Sequence, residues 1–267
     1  MPPRWFAPRS LEEALELRAE HGDEAPVVAG GTFLSILINQ RLLAPAAFLS
    51  LRCVPGLGGV SASGELRLGA MVTHSAVERS ALVREGWPAL AHAFALVASP
   101  RVRNQATVGG VLADADYASD PPAMFIALGA RTVARSRDGE REIPVEELIT
   151  GYYETSVRPD ELITEVRVPA GPERAVYRKF RSRSHEDRPC VAVAAAVRGG
   201  GLRVVVGAVA ERPQHFPGLC AGSPEEIGHR YAEAIEPLSD ARGSAAYRRR
   251  VIAVEVRRAL EELGWTG

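Results

Sequence analysis

Two short runs of small residues have the chemistry to hold an anion. The first lies in "VVAGGTFLSILINQ", Val27 to Gln40, where Ala29, Gly30, Gly31 and Thr32 join two valines to a dense apolar stretch. The second lies in "RNQATVGGVLADADYASD", where Thr107, Val108, Gly109 and Gly110 lead into Asp114, Asp116 and Asp120. Glycine turns let a ligand approach the backbone closely, and free N–H groups at the start of a helix favour a phosphate. Threonine hydroxyls add donors, and a carboxylate accepts from sugar hydroxyls. A single ligand with two phosphates and a ribose would use both turns. Neither is a familiar phosphate loop: the first contains no G-x-G-x-x-G, and no Lys-Ser or Lys-Thr closes it. Taken alone, either run is explained as readily by glycines that only make the turn from strand to helix.

Other chemistries are weaker in this chain. Asp114, Asp116 and Asp120 have the spacing D-x-D-x-x-x-D, but a calcium-binding EF-hand loop counted from Asp114 needs Gly and Glu where Ser119 and Phe125 stand. A magnesium ion held jointly with substrate phosphates stays open, as does simple helix capping by Asp120 before Pro121 and Pro122. Cys53, Cys190 and Cys220 are isolated, with no C-x-x-C pair. They argue against a zinc site or an iron–sulfur cluster held by this chain and read as small buried or half-buried residues. "SHED", Ser184 to Asp187 with His185 inside it, sets hydroxyl, imidazole and carboxylate side by side, yet loop neighbours rarely form a triad and no G-x-S-x-G elbow is present. No metal ligands and no catalytic acid or base are assigned. Of the 32 Lys plus Arg residues only Lys179 is lysine. Either a compact cation is required there or it survived by chance in an arginine-rich chain.

The elements that must position these residues follow from periodicity and turn signals. Ser10 to Ala19 reads as a capped helix, and Val27–Val28 as the end of a short buried strand. Phe33, Leu34, Ile36, Leu37 and Ile38 read as the buried side of a helix, and "AAFLSLRCV" as a strand closing a β-α-β unit over about residues 25–54. Next come a strand in "ELRLGAMVTH", a helical stretch broken at Pro88, a hairpin turning at Asp138–Gly139, and a strand in "ELITEVRVP". This region reads as mixed α+β with a largely antiparallel sheet. "PAGPERA" has linker composition, "CVAVAAAVRGGGLRVVVGAVA" reads as two apolar strands around Gly199–Gly201, and the C-terminal "SAAYRRRVIAVEVRRALEEL" as an amphipathic helix. Its clusters Arg248–Arg250 and Arg257–Arg258 read as a solvated face.

With 267 residues, 46% hydrophobic and 24% charged, the composition is that of an ordinary globular protein large enough for more than one core. A formal net charge of -1 offers no general attraction for nucleic acid or an anionic membrane. The N-terminal region lacks an apolar signal core and no run reaches spanning length, so the expected location is cytoplasmic.

Together, "VAGGT", "RNQATVGG…ADADYASD", "ELITEVRVP" and "YRKF" resemble the FAD-binding medium subunit of the molybdenum hydroxylases, the family of aerobic carbon monoxide dehydrogenase and the flavin part of xanthine dehydrogenase. The resemblance covers essentially the whole chain. It implies an α+β fold: a two-lobed FAD-binding domain of the PCMH type over 1–169, with lobes of about 1–54 and 55–169, then a small C-terminal domain of antiparallel strands and helices over 173–267. It implies that Ala29, Gly30, Gly31, Thr32, Phe33 and Leu34 hold the pyrophosphate, with Thr107, Val108, Gly109, Gly110 and Val111 as the second loop. Asp120 falls on a flavin-contacting aspartate, Ile163 on an apolar residue near the ring, and Lys179 on a lysine near the ring's polar edge. Neither turn carries a histidine for attachment, so the FAD is expected to be noncovalent. Three positions depart from the pattern: Val97 where some members have an aromatic residue, Val111 where a polar one often follows, and "DAD" at Asp114–Asp116 where many relatives have "HAD".

The implied function is a relay. Substrate is oxidised at a molybdenum–pterin centre on a large subunit, electrons cross [2Fe-2S] clusters on a small subunit, and this chain passes them through FAD to NAD or a quinone. The implied assembly is a dimer of heterotrimers. A stand-alone flavin reductase and a flavin-less scaffold subunit are the alternatives.

Overall fold

The computed structural model describes residues 2–182, 184 and 186–267. Its first lobe contains β1 (Arg4–Phe6), α1 (Leu11–His21), β2 (Val27–Val28), α2 (Leu34–Asn39) and β3 (Ala47–Ser50). The Ser10 side chain accepts from Glu13 N–H to start α1. The strands form a parallel sheet in the order β1-β3-β2, so β2-α2-β3 is the expected β-α-β unit.

The second lobe begins with β4 (Val60–Ser63) and β5 (Glu65–Gly69), followed by α3 (His74–Arg79), α4 (Ala81–Gly86), α5 (Pro88–Ala95), α6 (Pro100–Arg103), α7 (Val108–Ala113) and α8 (Pro121–Ala127). The helical stretch breaks at Ser80 as well as at Pro88, because the Ser80 hydroxyl accepts from Val83 N–H and starts a new helix. Then come β6 (Arg131–Ser136), β7 (Gly139–Pro144), α9 (Val145–Leu148), a small hairpin of β8 (Ile149–Gly151) and β9 (Glu154–Thr155), and β10 (Leu162–Val168). The sheet β4-β5-β10-β6-β7 is antiparallel throughout, and β6 and β7 pair across the expected Asp138–Gly139 turn.

The last region contains β11 (Arg174–Phe180), β12 (Val191–Arg198), β13 (Gly201–Gly207), β14 (Gln214–His215), α10 (Pro224–Ala234) and α11 (Ala245–Leu263). Its antiparallel sheet is ordered β11-β12-β13-β14. Gly199 and Gly200 take positive φ in the turn between β12 and β13, where side chains are disfavoured. β12 has both faces buried, and the period of two sorts them. Ala192, Ala194 and Ala196 join the core that holds Phe94 of α5 and Phe125 of α8, while Val191, Val193, Ala195 and Val197 join Ile227, Tyr231, Ile252 and Val256 beneath α10 and α11. One apolar core therefore runs from the second lobe into the last sheet.

Several expectations fail on packing. Val27 and Val28 are only half-buried. No residue of α2 is buried, and Ile36 and Ile38 remain 43% and 41% exposed. The helix has six residues; Leu34, Ile36 and Leu37 line a cleft instead of a core, and Ile38 is exposed outside it. Cys53 is exposed, not buried. Arg248 is fully buried, donating to the carbonyls of Cys190 and Leu238 and pairing with Asp240 at 2.8 Å, so it is no part of a solvated face.

Candidate functional site

β2 delivers the chain into the first glycine turn, and each glycine has a distinct physical reason. Gly31 has φ 71°, the left-handed region that only glycine enters without penalty. A Cβ on Gly30 would lie 2.0 Å from the Gln105 carbonyl oxygen, so glycine there lets the two loops touch. Ser35 N–H turns back to the Gly31 carbonyl to start α2. The N–H groups of Gly30, Gly31, Thr32 and Phe33 have no backbone acceptor among the described residues. Ala29 to Leu34 all line one side of a large cleft.

The second turn is built differently. Thr107 caps α7, its hydroxyl accepting from Gly110 N–H at 3.1 Å. Val108 N–H donates to Val72, Gly109 N–H to Ala70, and Val111 N–H to Thr107. Those donors are committed inside the protein, so this turn does not offer the backbone N–H groups expected of it. It supplies a surface instead: Thr107, Gly109, Gly110 and Val111 line the same cleft as the first turn, whereas Val108 is buried in the core away from it. A Cβ on Gly109 would meet that of Ala70 at 2.6 Å, which explains this glycine by packing.

His74, which sequence reasoning missed, supports the second turn from α3. It is 1% exposed, packs edge-on against Phe94, and its Nε2 lies 3.2 Å from the Thr107 carbonyl. Burial pushes its pKa down to about 4, against the hydrogen bond to Thr107, so the ring is neutral near pH 7 and Nε2 carries the donated proton.

At the far end of the cleft, Asp120, Lys179 and Ile163 come together from α8, β11 and β10. Asp120 makes no capping bond to α8, contrary to the simpler expectation. Its carboxylate instead accepts from Tyr177 Oη at 2.7 Å and Lys179 Nζ at 2.8 Å. Nζ also donates to the Leu96 carbonyl at 2.8 Å. Burial pushes the Asp120 carboxyl up and the Lys179 amine down, while their mutual attraction opposes both shifts. Val97 and Ala98 also line this end, their carbonyls held by Arg103 Nη1 at 2.9 and 3.0 Å.

The acidic run does not converge. Asp116 pairs with Arg188 at 2.7 Å, Asp120 with Lys179, and Asp114 stands apart. Among the described residues no group of three His, Cys, Asp or Glu side chains is placed to hold a metal ion. His185, central to the Ser-His-Asp neighbour idea, lies outside the described residues; Asp187 accepts from Ser184 N–H. Tyr153, also missed from sequence, stacks on Phe33 at 5.5 Å and has φ 59°. This stack joins the first lobe to the β8–β9 hairpin along one side of the cleft. No local signal in the sequence marks this stack.

The cleft measures about 940 Å³ and draws on all four sheets, the β8–β9 hairpin included, and their loops. Residues 2–171 match the family described as the FAD binding domain in molybdopterin dehydrogenase. The chain belongs to the FAD-binding medium subunits of the molybdenum hydroxylases. It is 34% identical to the 6-hydroxypseudooxynicotine dehydrogenase complex subunit alpha of Paenarthrobacter nicotinovorans, over 94% of this chain and 90% of that one. It is 32% identical to the nicotine 6-hydroxylase medium subunit of the same organism, over 98% and 97%. Among solved structures, carbon monoxide dehydrogenase from Hydrogenophaga pseudoflava superposes with a TM-score of 0.91 at 29% identity, covering 99% of this chain and 98% of that one.

The medium subunit's own geometry fits an extended dinucleotide. The cleft volume stands near the top of the roughly 300–1,000 Å³ range of small-molecule sites. The free N–H groups of the first turn suit a diphosphate, and the apolar Ile163 with the polar Asp120–Lys179 pair suits a ring with one polar edge. Among the described residues no helix is long and apolar enough to cross a membrane.

Proposed function

We propose that the medium subunit binds one noncovalent FAD in this cleft and relays electrons from iron–sulfur clusters of a small subunit to an external acceptor, NAD or a quinone. The observation that carries the proposal is the convergence of both glycine turns, Ile163, Asp120 and Lys179 on one cleft. Bound FAD supplies the redox chemistry; the protein supplies position and electrostatics. The N–H groups of Gly30 to Phe33 hold the diphosphate, with Ala29 and Leu34 flanking them. Thr107, Gly109, Gly110 and Val111 form the opposing wall, with Val108 anchoring it to the core. Ile163 packs beside the ring, and Lys179, aimed by Asp120, presents a cation to the ring's polar edge.

The FAD-binding part corresponds to about residues 1–169 and the supporting part to 173–267. The partners are an iron–sulfur small subunit and a molybdopterin large subunit, assembled as a cytoplasmic dimer of heterotrimers. The absorbance spectrum of the purified chain, recorded before and after denaturation, tests noncovalent FAD: flavin should be present and released. The relay is tested by adding the complex's substrate to the isolated subunit and to the assembled complex. Reduction should require the partners, and equally fast bleaching of the isolated chain would overturn the relay.

A further inference from the structure

The ionisable side chains along the cleft are almost all neutralised. Asp120 pairs with Lys179 at 2.8 Å, Asp116 with Arg188 at 2.7 Å, Asp23 with Arg18 at 2.8 Å, and Glu161 with Arg141 at 2.6 Å. His74 is held neutral, and burial raises the Tyr153 hydroxyl above its ordinary value, so it is neutral as well. Glu154 and Glu186 line the cleft from exposed positions on the hairpin and the β11–β12 loop, where water screens them.

Asp114 is the exception. Its N–H donates to the Gly110 carbonyl, which sets it one helical turn beyond Gly110 with its side chain along the same cleft. It is half-buried, and among the described residues its carboxyl makes no hydrogen bond and no direct ion pair, the nearby Arg188 being paired with Asp116. Its charged neighbours are Asp116, of like sign, and Arg188, which already serves Asp116. Burial, then the nearby Asp116, push its pKa up to about 7, against the pull of Arg188.

We propose that Asp114 is the proton-linked group of the cofactor cleft: entry of the anionic FAD drives its carboxyl into the neutral acid, which then offers the ligand an O–H donor. This rests on the proposed FAD site. The balance is simple: binding takes up as much as one proton from solvent onto a carboxylate oxygen of Asp114, and no electrons move. In the linkage, a bound anion raises the carboxyl's pKa further. Affinity is therefore flat below the pKa of the free cleft and weakens above it, by at most about tenfold per pH unit, until the bound-state pKa is passed.

The test uses the purified medium subunit and FAD itself. FAD dissociation is followed by recovery of flavin fluorescence on dilution, from about pH 6 to 9, for the wild type and Asp114→Asn. Binding enthalpy is measured alongside in two buffers of different ionisation heat. The expected result is a wild-type Kd that rises above about pH 7 with proton uptake on binding, and an Asp114→Asn Kd that is flat with none. A flat wild-type profile, or equal slopes in both proteins, overturns the linkage while leaving the FAD site standing. Failure of both proteins to bind FAD at any pH overturns the parent reading and this inference with it.

Discussion

Replacing Lys179 with methionine removes the cation that forms the ion pair with Asp120. The Lys179 and Asp120 side chains are 1% and 5% exposed, so water does not reach in to solvate whichever partner remains. The variant leaves Asp120 with the Tyr177 Oη hydrogen bond and the more distant pull of Arg181, and leaves the Leu96 carbonyl without its lysine donor. Breaking a buried pair by deleting one partner costs about 3–5 kcal/mol, most of it the penalty of an uncompensated charge. For a protein of this size that is a fall in Tm of roughly 6–20 °C. Removing both charges is a different perturbation. Lys179→Met combined with Asp120→Asn leaves no buried charge in this pair, so the double variant should be more stable than Lys179→Met alone, with a coupling of about 2 kcal/mol in the cycle. Urea unfolding followed by tryptophan fluorescence, at saturating FAD, measures all four proteins. Simple additivity, or a loss below about 1 kcal/mol for Lys179→Met, would refute the buried-pair reasoning. On the FAD of folded variants, loss of the cation should also lower the midpoint potential, because the reduced forms lose a nearby positive charge.

Three further outcomes follow from named contacts. His74 is neutral when folded, its pKa pushed from 6.5 down to about 4, so the stability tied to its burial is fully present above pH 6.5 and lost as pH falls through 4. Chemical denaturation from pH 7 to 4 should show a loss approaching about 3 kcal/mol that His74→Phe lacks. Gly30→Ala should abolish FAD retention, since its Cβ would stand 2.0 Å from the Gln105 carbonyl oxygen and force the loops apart; normal flavin content after gel filtration would contradict this. Gly110→Asp places a carboxylate on the cleft wall facing the proposed diphosphate and should also release FAD, with circular dichroism confirming that the helices remain.

Local signals were legible in the sequence, and long-range ones were not. The Ser10 cap, the Asp138–Gly139 hairpin and the β12–β13 turn depend on residues a few positions apart, so propensity and periodicity found them. Both glycine turns were visible, yet their difference was not: the acceptors that occupy the second turn's N–H groups are Ala70 and Val72, far back in the chain. Arg248 looked like surface charge because its neighbours Arg249 and Arg250 are exposed, while its own partner Asp240 comes from the loop before α11. The apolar pattern of α2 reads as a core face because hydrophobicity does not distinguish a core from the cleft that Leu34, Ile36 and Leu37 line. Tyr153 and His74 belong to the site only through tertiary contacts with Phe33 and Thr107.

Lys179 lies beyond residue 171, where the match to the FAD-binding family ends, and its partner Asp120 stands 59 residues earlier. Synthesis runs from the N-terminus, so the ribosome makes the cleft's two glycine walls before its cationic end. At about 5–20 residues per second, Asp120 waits roughly 3–12 s for its lysine. During that interval the faces of α5 and α8 that will meet Ala192, Ala194 and Ala196 are also uncovered. Until β11 is made, both glycine loops exist while Asp120 lacks Tyr177 and Lys179, the two side chains its carboxylate bonds in the complete fold. The stretch that carries the family match, residues 2–171, therefore does not by itself complete the cleft, whose wall takes its lysine from the strand that follows.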